Sequence, residues 1–389
     1  MPKPKLILGV TISGSTLLLQ GQSKYFSSLG YDVHLFCPKD EKSVNYSENE
    51  NCTLHHVRIA RTLNPIKDVV TLVRLIRLLK SQKPDIINFG TSKMGFLGSI
   101  AAWICNVPVR IYTCRGLRYE HEKGLLKKVL MLTEKIASKC THKTICVGNA
   151  LRDVAVNDNV FDSKKAVVIA KGASNGVDLN SFDKSMLDET ERQNLIREYN
   201  LEDKLVLGFV GRIIDRKGIN ELVHSFQAIN KKYPDTRLML LGRINYEQLR
   251  DKSVLDLIEN DENIINAGFQ EDVPLYMSLF DIYVQPSWWE GFANALIQAA
   301  SMELPIVTSD GTGCWDAVAD DYNAIVVPVN NKVELTKAME RYVQSSQLRF
   351  EHGKNSRKWA ANFQHEIIWD GLNTLYTSLL RDKKVLRST

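Results

Sequence analysis

The sequence predicts an α/β protein built from two Rossmann-like parallel-sheet domains facing a central cleft. Three observations predict it. Short β-branched, apolar runs with almost no polar alternation recur along the chain, which is how strands buried on both faces read. Helical stretches separate these runs at the spacing of a parallel sheet. The rhythm then restarts near residue 205, and 389 residues are too many for one ordinary core.

The first domain is expected over residues 1–172. Its strands are KLILGV (5–10), DVHLFC (32–37), DIINFG (85–90), VRIYTC (109–114) and KTICVG (143–148). Helices are expected in LLLQGQSKYFSSLG (17–30), IKDVVTLVRLIRLLKSQ (66–82) and FLGSIAAWICN (96–106), with Gly30, Pro84 and Pro108 punctuating their ends. The segment GASNGVDLNSFDKSMLDETER (172–192) is rich in Gly, Ser, Asn and Asp and reads as a hinge. A second domain, 173–364, carries strands KLVLGFVG (204–211), RLMLLG (237–242), NIINAG (263–268), DIYVQPS (281–287), PIVTSD (305–310) and NAIVVP (323–328). Its helices are expected at about 218–232, 246–259, 273–280, 292–303 and 332–344. A last helix, about 365–389, ends in basic residues and is expected to pack back on the first domain. Ligands of such sheets bind at the carboxyl ends of the strands.

Composition is that of a globular chain, 44% hydrophobic and 24% charged, and a net charge of +5 is too weak to suggest nucleic acid. No apolar run reaches the ~20 residues of a membrane span. The start, MPKPKLILGV, lacks the length and small-residue cleavage site of a signal peptide, so a cytoplasmic location is expected. The seven cysteines include no C-x-x-C pair, which argues against a disulfide or metal framework. Matches to N-x-[ST] at Asn45 and Asn51 are expected to be chance if the chain is never secreted. Neither Asp-x-Asp nor H-E-x-x-H occurs, so no metal is expected.

Four stretches carry chemical content. In FVGRIIDRKGI (209–219) a strand ends at Gly211, Arg212, Arg216 and Lys217 follow, and Gly218 opens a helix. A helix N-terminus with cations beside it suits a diphosphate. The same residues also fit an exposed basic turn. In PSWWEGFANALIQAA (286–300), Glu290 sits on the loop before a helix that starts at Phe292 or Ala293. Its carboxylate can accept two sugar hydroxyls. Asn294 and Gln298, four apart, share one helix face. The plain alternative is an acid that balances a helix dipole and a solvated amide. GVTISGSTLLL (9–19) has P-loop spacing at Gly9 and Gly14, but Ser15 stands where the lysine must be, so a Walker loop is excluded. It can face a ligand or merely turn the chain.

The fourth stretch is YTCRGLRYEHEKGLLKKVLMLTEKIASKCTHK (112–143). Arg115-Gly116 lies at a strand's carboxyl end, and a helix of strong charge bias follows. From Arg115 to Lys143 there are eight basic residues and three acids, beside apolar Leu125, Leu126, Val129, Leu130, Met131 and Leu132. Basic amphipathic helices suit anionic membrane surfaces. An ordinary packed helix with solvated lysines is the alternative.

Together these residues resemble the GT-B fold glycosyltransferases of the large retaining group 1 family, also called family 4. FVGRIIDRKGI resembles the family's V-G-R-x-x-x-x-K-G. PSWWEGFANALIQAASMELPIVTSD resembles its P-S-x-x-E-G-F-x-x-x-x-x-E-A-x-x-x-G-x-P-V-V, SNGVDLNSF its N-G-V-D-x-x-x-F, and GCWDAVADDYNAIVVP its G-x-x-[DE]-x-V-x-x-x-x-x-G-x-L-V-P. The first half, with TSKMGFLGSIAAWICNVPVRIYTCRGLR, looks most like members that build bacterial capsule or O-antigen units on a lipid carrier.

The resemblance implies a retaining transferase with a UDP-sugar as donor substrate, no metal and no other cofactor. An N-acetylhexosamine or deoxy-hexosamine type of sugar is implied, moved to a polyprenyl-diphosphate-linked saccharide. The second domain would hold the nucleotide sugar. Arg212 and Lys217 would stabilise the diphosphate leaving group and Glu290 would hold sugar hydroxyls, making these three the catalytic set. Gly211, Gly291, Phe292, Ala293, Asn294 and Gln298 would complete the donor site, with the amides of Phe292 and Ala293 on the phosphates and Gln298 toward the ribose. The first domain would take the acceptor, through Gly14, Ser15, Lys93, Arg115 and Arg118. Its basic helix would touch the inner face of the plasma membrane, making the protein peripheral there.

The chain departs from the family pattern at Gln298, where the family has Glu, at Arg115, where many members have His, at Glu303 and at Asn323-Ala324. An amide still accepts from one hydroxyl and donates to another, with roughly 1 kcal/mol of charge-assisted bonding lost. Arg115 cannot act as a general base, and front-face attack, where the donor phosphate takes the acceptor proton, needs none. The arginine could pair with a phosphate or with an acidic sugar. Two other functions fit the same residues: transfer to a soluble acceptor, and a catalytically silent nucleotide-sugar-binding subunit.

Overall fold

A computed structural model describes residues 3–60 and 64–388. The chain forms two compact units, one from residues 1–175 with 365–389, the other from 176–364.

Seven strands build the sheet of the first unit: β1 (Lys5–Gly9), β2 (Asp32–Cys37), β3 (Thr53–His56), β4 (Ile86–Gly90), β5 (Val109–Cys114), β6 (Lys143–Cys146) and β7 (Ala166–Val167). They lie in the order β3-β2-β1-β4-β5-β6-β7, every pair parallel. The second sheet holds β8 (Leu205–Val210), β9 (Thr236–Leu241), β10 (Ile264–Gly268), β11 (Ile282–Gln285), β12 (Ile306–Ser309) and β13 (Ala324–Val327), in the order β10-β9-β8-β11-β12-β13 and again all parallel. Strand order reverses between β1 and β4 in one sheet and between β8 and β11 in the other. Such switch points open a crevice beyond the carboxyl ends of the strands.

The apolar runs read as strands because both faces are covered. Ile7, Ile87, Phe89 and Phe36 lie in one core with Leu75 and Leu79 of the helix Pro65–Gln82 and Leu97 and Ala101 of the helix Ser92–Ile104. In the second unit Leu207, Phe209, Leu238, Leu240, Ile282 and Val284 pack on Leu222, Val223 and Phe226 of the helix Ile219–Lys232. Each such side chain contributes roughly 1.5–3 kcal/mol by leaving water. Local signals set the ends. Asn64 accepts from the Lys67 amide at 3.0 Å and Pro65 occupies the first helical position, so that helix starts sharply.

Several boundaries differ from expectation. The stretch 17–30 is a 3-10 turn, Ser13–Leu19, and a short helix, Gln22–Ser28, parted at Gly21, whose left-handed φ of 82° breaks the helical path. The helix expected over 246–259 runs over Lys252–Asn260, because Asp251 caps it through Ser253 and Asn245 organises residues 245–249 as a turn. The helix placed at 292–303 covers Asn294–Ser301. Sequence periodicity did not show β3, β7 or the helices Glu41–Asn49, Asn149–Asn157 and Glu189–Glu198. The final helix is His365–Ser388, and Thr389 lies outside the described residues.

Candidate functional site

The second unit's site grows from the two strands that flank its switch point. β8 ends at Val210 and the chain leaves through Gly211 and Arg212 into a 3-10 turn, Asp215–Lys217. Gly218 ends that turn at φ 72° and a Cβ there would lie 2.1 Å from the Pro286 carbonyl oxygen. Only glycine allows both the left-handed turn and this approach. The basic turn is thereby pressed against the loop that follows β11, and the Trp288 amide donates to the Arg216 carbonyl at 2.8 Å.

The contact brings the predicted residues together. Lys217 Nζ forms an ion pair and hydrogen bond with Glu290 Oε1, and Arg216 Nη1 lies 3.8 Å from Glu290 Oε2. The Lys217 and Glu290 side chains are only 13% and 10% exposed, so little water screens the pair. Arg216 also donates to the Trp289 carbonyl at 3.3 Å and lies 5.8 Å from its ring centre. Arg212 keeps much of its surface in solvent. Desolvation of its guanidinium and the nearby Arg216 lower its pKa, against the pull of Glu290. Two anchored cations and a carboxylate thus share one corner, able to grip phosphates and hydroxyls side by side.

Beneath the pair lies a polar strut that sequence reasoning missed. Tyr283 donates to Gln285 Oε1 at 2.8 Å, and Gln285 Nε2 donates to Ser287 Oγ at 3.2 Å and reaches Glu290 Oε1 at 3.4 Å. Gln285 is fully buried. A glutamine inside the apolar run DIYVQPS was the only signal. The loop after β12, read from the sequence only as the start of the motif GCWDAVADDYNAIVVP, also supports Glu290. Glu290 N donates to the Thr312 carbonyl at 2.7 Å, and a Cβ on Gly313 would lie 2.5 Å from the Glu290 carbonyl oxygen. The chain that carries Glu290 is therefore clasped from both sides.

The helix Asn294–Ser301 begins where this loop ends. Two placements correct the expectation. The Ala293 amide already donates to the Gly313 carbonyl at 2.9 Å, so it is not free to cap a phosphate. The helix also starts one to two residues later than expected. Phe292 is buried against Phe363, with ring centres 5.6 Å apart, and Gly291 is half-buried. Asn294 Oδ1 is buried without a hydrogen-bond partner, and Gln298, one turn on, is half-buried.

In the first unit, Gly14 and Ser15 lie in the turn after β1, Lys93 follows β4, and Arg115 and Arg118 follow β5, all at the carboxyl edge of the sheet. Thr11 and Thr91 join the first two loops through a 2.7 Å hydroxyl bond. Lys93 departs from its expected role as an open cation: its Nζ is 2.8 Å from Asp68 Oδ1, tying two helices together. Arg115 Nη1 donates to Ser174 Oγ and, at 2.7 Å, to the Ser174 carbonyl, while its buried Nε has no partner. Burial pushes its pKa down to about 10. Arg118 is exposed. No group of three His, Cys, Asp or Glu among the described residues is placed to hold a metal.

Known proteins resemble this chain along its whole length. The family described as glycosyl transferases group 1 matches residues 191–359, and the glycosyl transferase 4-like family matches 7–147. A capsular polysaccharide biosynthesis glycosyltransferase, CapM of Staphylococcus aureus, is 32% identical over 99% of this chain and 100% of its own. The UDP-Gal:alpha-D-GlcNAc-diphosphoundecaprenol alpha-1,3-galactosyltransferase of Escherichia coli is 26% identical over 91% of this chain and 90% of its own. Among solved structures, Anabaena Alr3699/HepE in complex with UDP and glucose superposes with a TM-score of 0.82 at 16% identity, covering 96% of this chain and 100% of that one. A glycosyltransferase from Rickettsia africae gives a TM-score of 0.82 at 17% identity over 98% of this chain and 99% of its own.

Proposed function

The chain belongs to the group 1 glycosyltransferases, with the GT-B fold, and from that premise we propose that it moves a sugar, with retention of configuration, from a UDP-sugar to a polyprenyl-diphosphate-linked saccharide in surface-polysaccharide synthesis. The acceptor is suggested by relatives named for it, the E. coli enzyme and a Campylobacter jejuni N,N'-diacetylbacillosaminyl-diphospho-undecaprenol alpha-1,3-N-acetylgalactosaminyltransferase that is 22% identical over 90% of this chain. Capsule synthesis is suggested by the S. aureus relative. An N-acetylhexosamine or deoxy-hexosamine is our reading of the sugar.

The observation that carries the chemistry is the Lys217–Glu290 pair beside Arg216. In the free site the two charges neutralise each other. A diphosphate is the stronger anion for Lys217 and Arg212, and sugar hydroxyls can then take the lysine's place on Glu290. As the glycosidic bond breaks, negative charge grows on the departing phosphate, and fixed cations there stabilise the transition state more than the ground state. The phosphate oxygen takes the acceptor proton, so no side chain is needed as base. Gln298 would meet the ribose and the unpartnered side-chain carbonyl of Asn294 a hydroxyl of the donor. No metal is required in this scheme. On the first unit, Arg115 would meet an anionic group of the acceptor, beside Gly14, Ser15 and Arg118.

The exposed lysines and leucines of the helix Gly124–Cys140 would hold the protein on the inner face of the membrane as a peripheral protein. No helix among the described residues is long and apolar enough to cross it. The test is transfer from a panel of UDP-sugars to lipid-linked saccharides. Lys217→Ala is expected to lower the rate by about 10²–10³, the usual effect of removing one such donor. No transfer from any UDP-, GDP- or TDP-sugar sinks the proposal.

A further inference from the structure

Arg212, Lys217 and Glu290 share their corner with a third cation, Arg216, whose tethers differ from theirs. Lys217 has one strong partner, Glu290 Oε1. Arg216 meets three consecutive residues of the loop after β11. Its carbonyl accepts from the Trp288 amide at 2.8 Å. Its Nη1 donates to the Trp289 carbonyl at 3.3 Å, with the guanidinium 5.8 Å from the Trp289 ring centre. The same Nη1 lies 3.8 Å from Glu290 Oε2. The loop is pinned in turn, because Trp288 Nε1 donates at 3.2 Å to Glu221 Oε1 of the helix Ile219–Lys232. The acid next to Arg216 in the chain is turned elsewhere. Asp215 Oδ2 pairs with Arg250 Nε at 3.5 Å, and its Oδ1 accepts from the Arg250 amide at 3.2 Å.

The two cations divide one carboxylate, Lys217 on Oε1 and Arg216 facing Oε2. They are not equally free to leave it. A lysine ammonium is a point charge on a flexible stem, whereas a guanidinium held at a carbonyl and over an aromatic ring gives up several contacts when it moves. A diphosphate entering the corner therefore draws off Lys217 and leaves Arg216 in place. Glu290 then keeps a cation at Oε2 and Gln285 Nε2 at 3.4 Å from Oε1. Without Arg216 the departure of Lys217 would strand a carboxylate whose side chain is only 10% exposed. A charge with so little water and no cation is costly, so Glu290 would hold the lysine back.

We propose that Arg216 is a positioning residue that stays on Glu290 when Lys217 passes to the donor's diphosphate. It frees the lysine and keeps the carboxylate in place for the sugar hydroxyls. The inference rests on the donor site proposed above and assigns Arg216 to the carboxylate, not to the phosphates.

The test is a double-mutant cycle on the full chain, read as UDP affinity by calorimetric titration, which needs no turnover. Arg216→Met is expected to weaken UDP roughly tenfold, less than for a fully buried pair because the Arg216 side chain is 27% exposed. In a Glu290→Gln background, where no charge is stranded, the same change should cost about twofold. The difference is a fivefold coupling, about 1 kcal/mol. Arg216→Gln keeps a donor for the Trp289 carbonyl without the charge and should behave like Arg216→Met. Arg216→Lys restores the charge and should recover affinity to within about threefold of wild type. Unchanged far-UV spectra and unfolding midpoints show that each variant is folded.

Equal losses in both backgrounds would put Arg216 on the diphosphate itself and overturn the inference. No loss in either, with a lowered unfolding midpoint, would reduce Arg216 to a brace of the loop. An Arg216→Lys variant as weak as Arg216→Met would show that the charge is not what acts. If wild type transfers a sugar from UDP and the coupling is absent, this inference falls alone. If wild type neither binds UDP nor transfers from any UDP-sugar, the proposed donor site falls and takes it down as well.

Discussion

Gln285 holds a buried position where its side chain joins Tyr283, Ser287 and Glu290, and that makes it a lever on the site. Gln285→Leu keeps the volume but removes the amide partner of the Tyr283 hydroxyl, which retains the Val210 carbonyl at 3.3 Å, and removes one restraint on Glu290. The lost hydrogen bond costs about 0.5–1.5 kcal/mol, to be read by denaturant unfolding. Donor KM is expected to rise severalfold as well, because Glu290 loses orientation. A loss of stability with unchanged KM would make the residue purely structural. Gln298→Glu tests the amide in the opposite direction. With Asn294 Oδ1 unpartnered on the same helix face, a carboxylate at 298 should tighten UDP binding by roughly fivefold, about 1 kcal/mol, with turnover kept; weaker binding would place residue 298 away from the ribose. Arg212, Lys217 and Glu290 were singled out from the sequence because chemistry limits which residue types can hold a diphosphate and sugar hydroxyls, and the fold pairs Lys217 with Glu290. Gln285 was not, since its value lies in what it touches on its own strand and the loop that follows, and neither was the clasp of Glu290 by the Thr312 carbonyl, which comes from the loop after another strand.

Helices and strands show the same division. β8, β9 and β11 were legible because burial on both faces leaves no polar alternation, whereas β3 is an edge strand with no fully buried residue and reads like its surroundings. The helix Gly124–Cys140 was legible as basic and amphipathic, but its buried acid was not. Glu134 accepts from the Tyr112 hydroxyl at 2.7 Å and is 4% exposed. Desolvation pushes its pKa up to about 7, against the hydrogen bonds of Tyr112 and Ser92 and the charge of Arg118. The folded state therefore holds this proton more tightly than the unfolded chain. The group's contribution to stability is full below the unfolded value near 4.5 and falls as pH rises toward 7, by at most about 3 kcal/mol. Glu134→Gln should remove that slope, so the stability difference between variant and wild type should change steadily from pH 5 to 7 in urea titrations. A constant difference would mean that Glu134 ionises freely in the fold.

For the whole molecule the decisive feature is the path of the chain, which leaves the first unit at residue 175 and returns to it at 365. The returning helix completes a core that the first 175 residues leave open. Tyr376 is fully buried beside Phe26, with ring centres 5.3 Å apart, and accepts from Asn88 Nδ2 at 2.6 Å. Trp369 donates to Asn175 Oδ1 at 2.9 Å, and Tyr31 donates to Asn373 Oδ1 at 2.8 Å. The second unit has its own core and, as proposed, the nucleotide site. Tyr376→Ala should therefore destabilise the first unit by about 3–5 kcal/mol, the range for emptying an aromatic site, and leave the second untouched. Calorimetry should resolve this as one transition lowered by the mutation and another raised by UDP, since a ligand stabilises only the unit that binds it. A single transition that both mutation and UDP move together would mean that the units unfold as one, with coupling that their separate cores do not require.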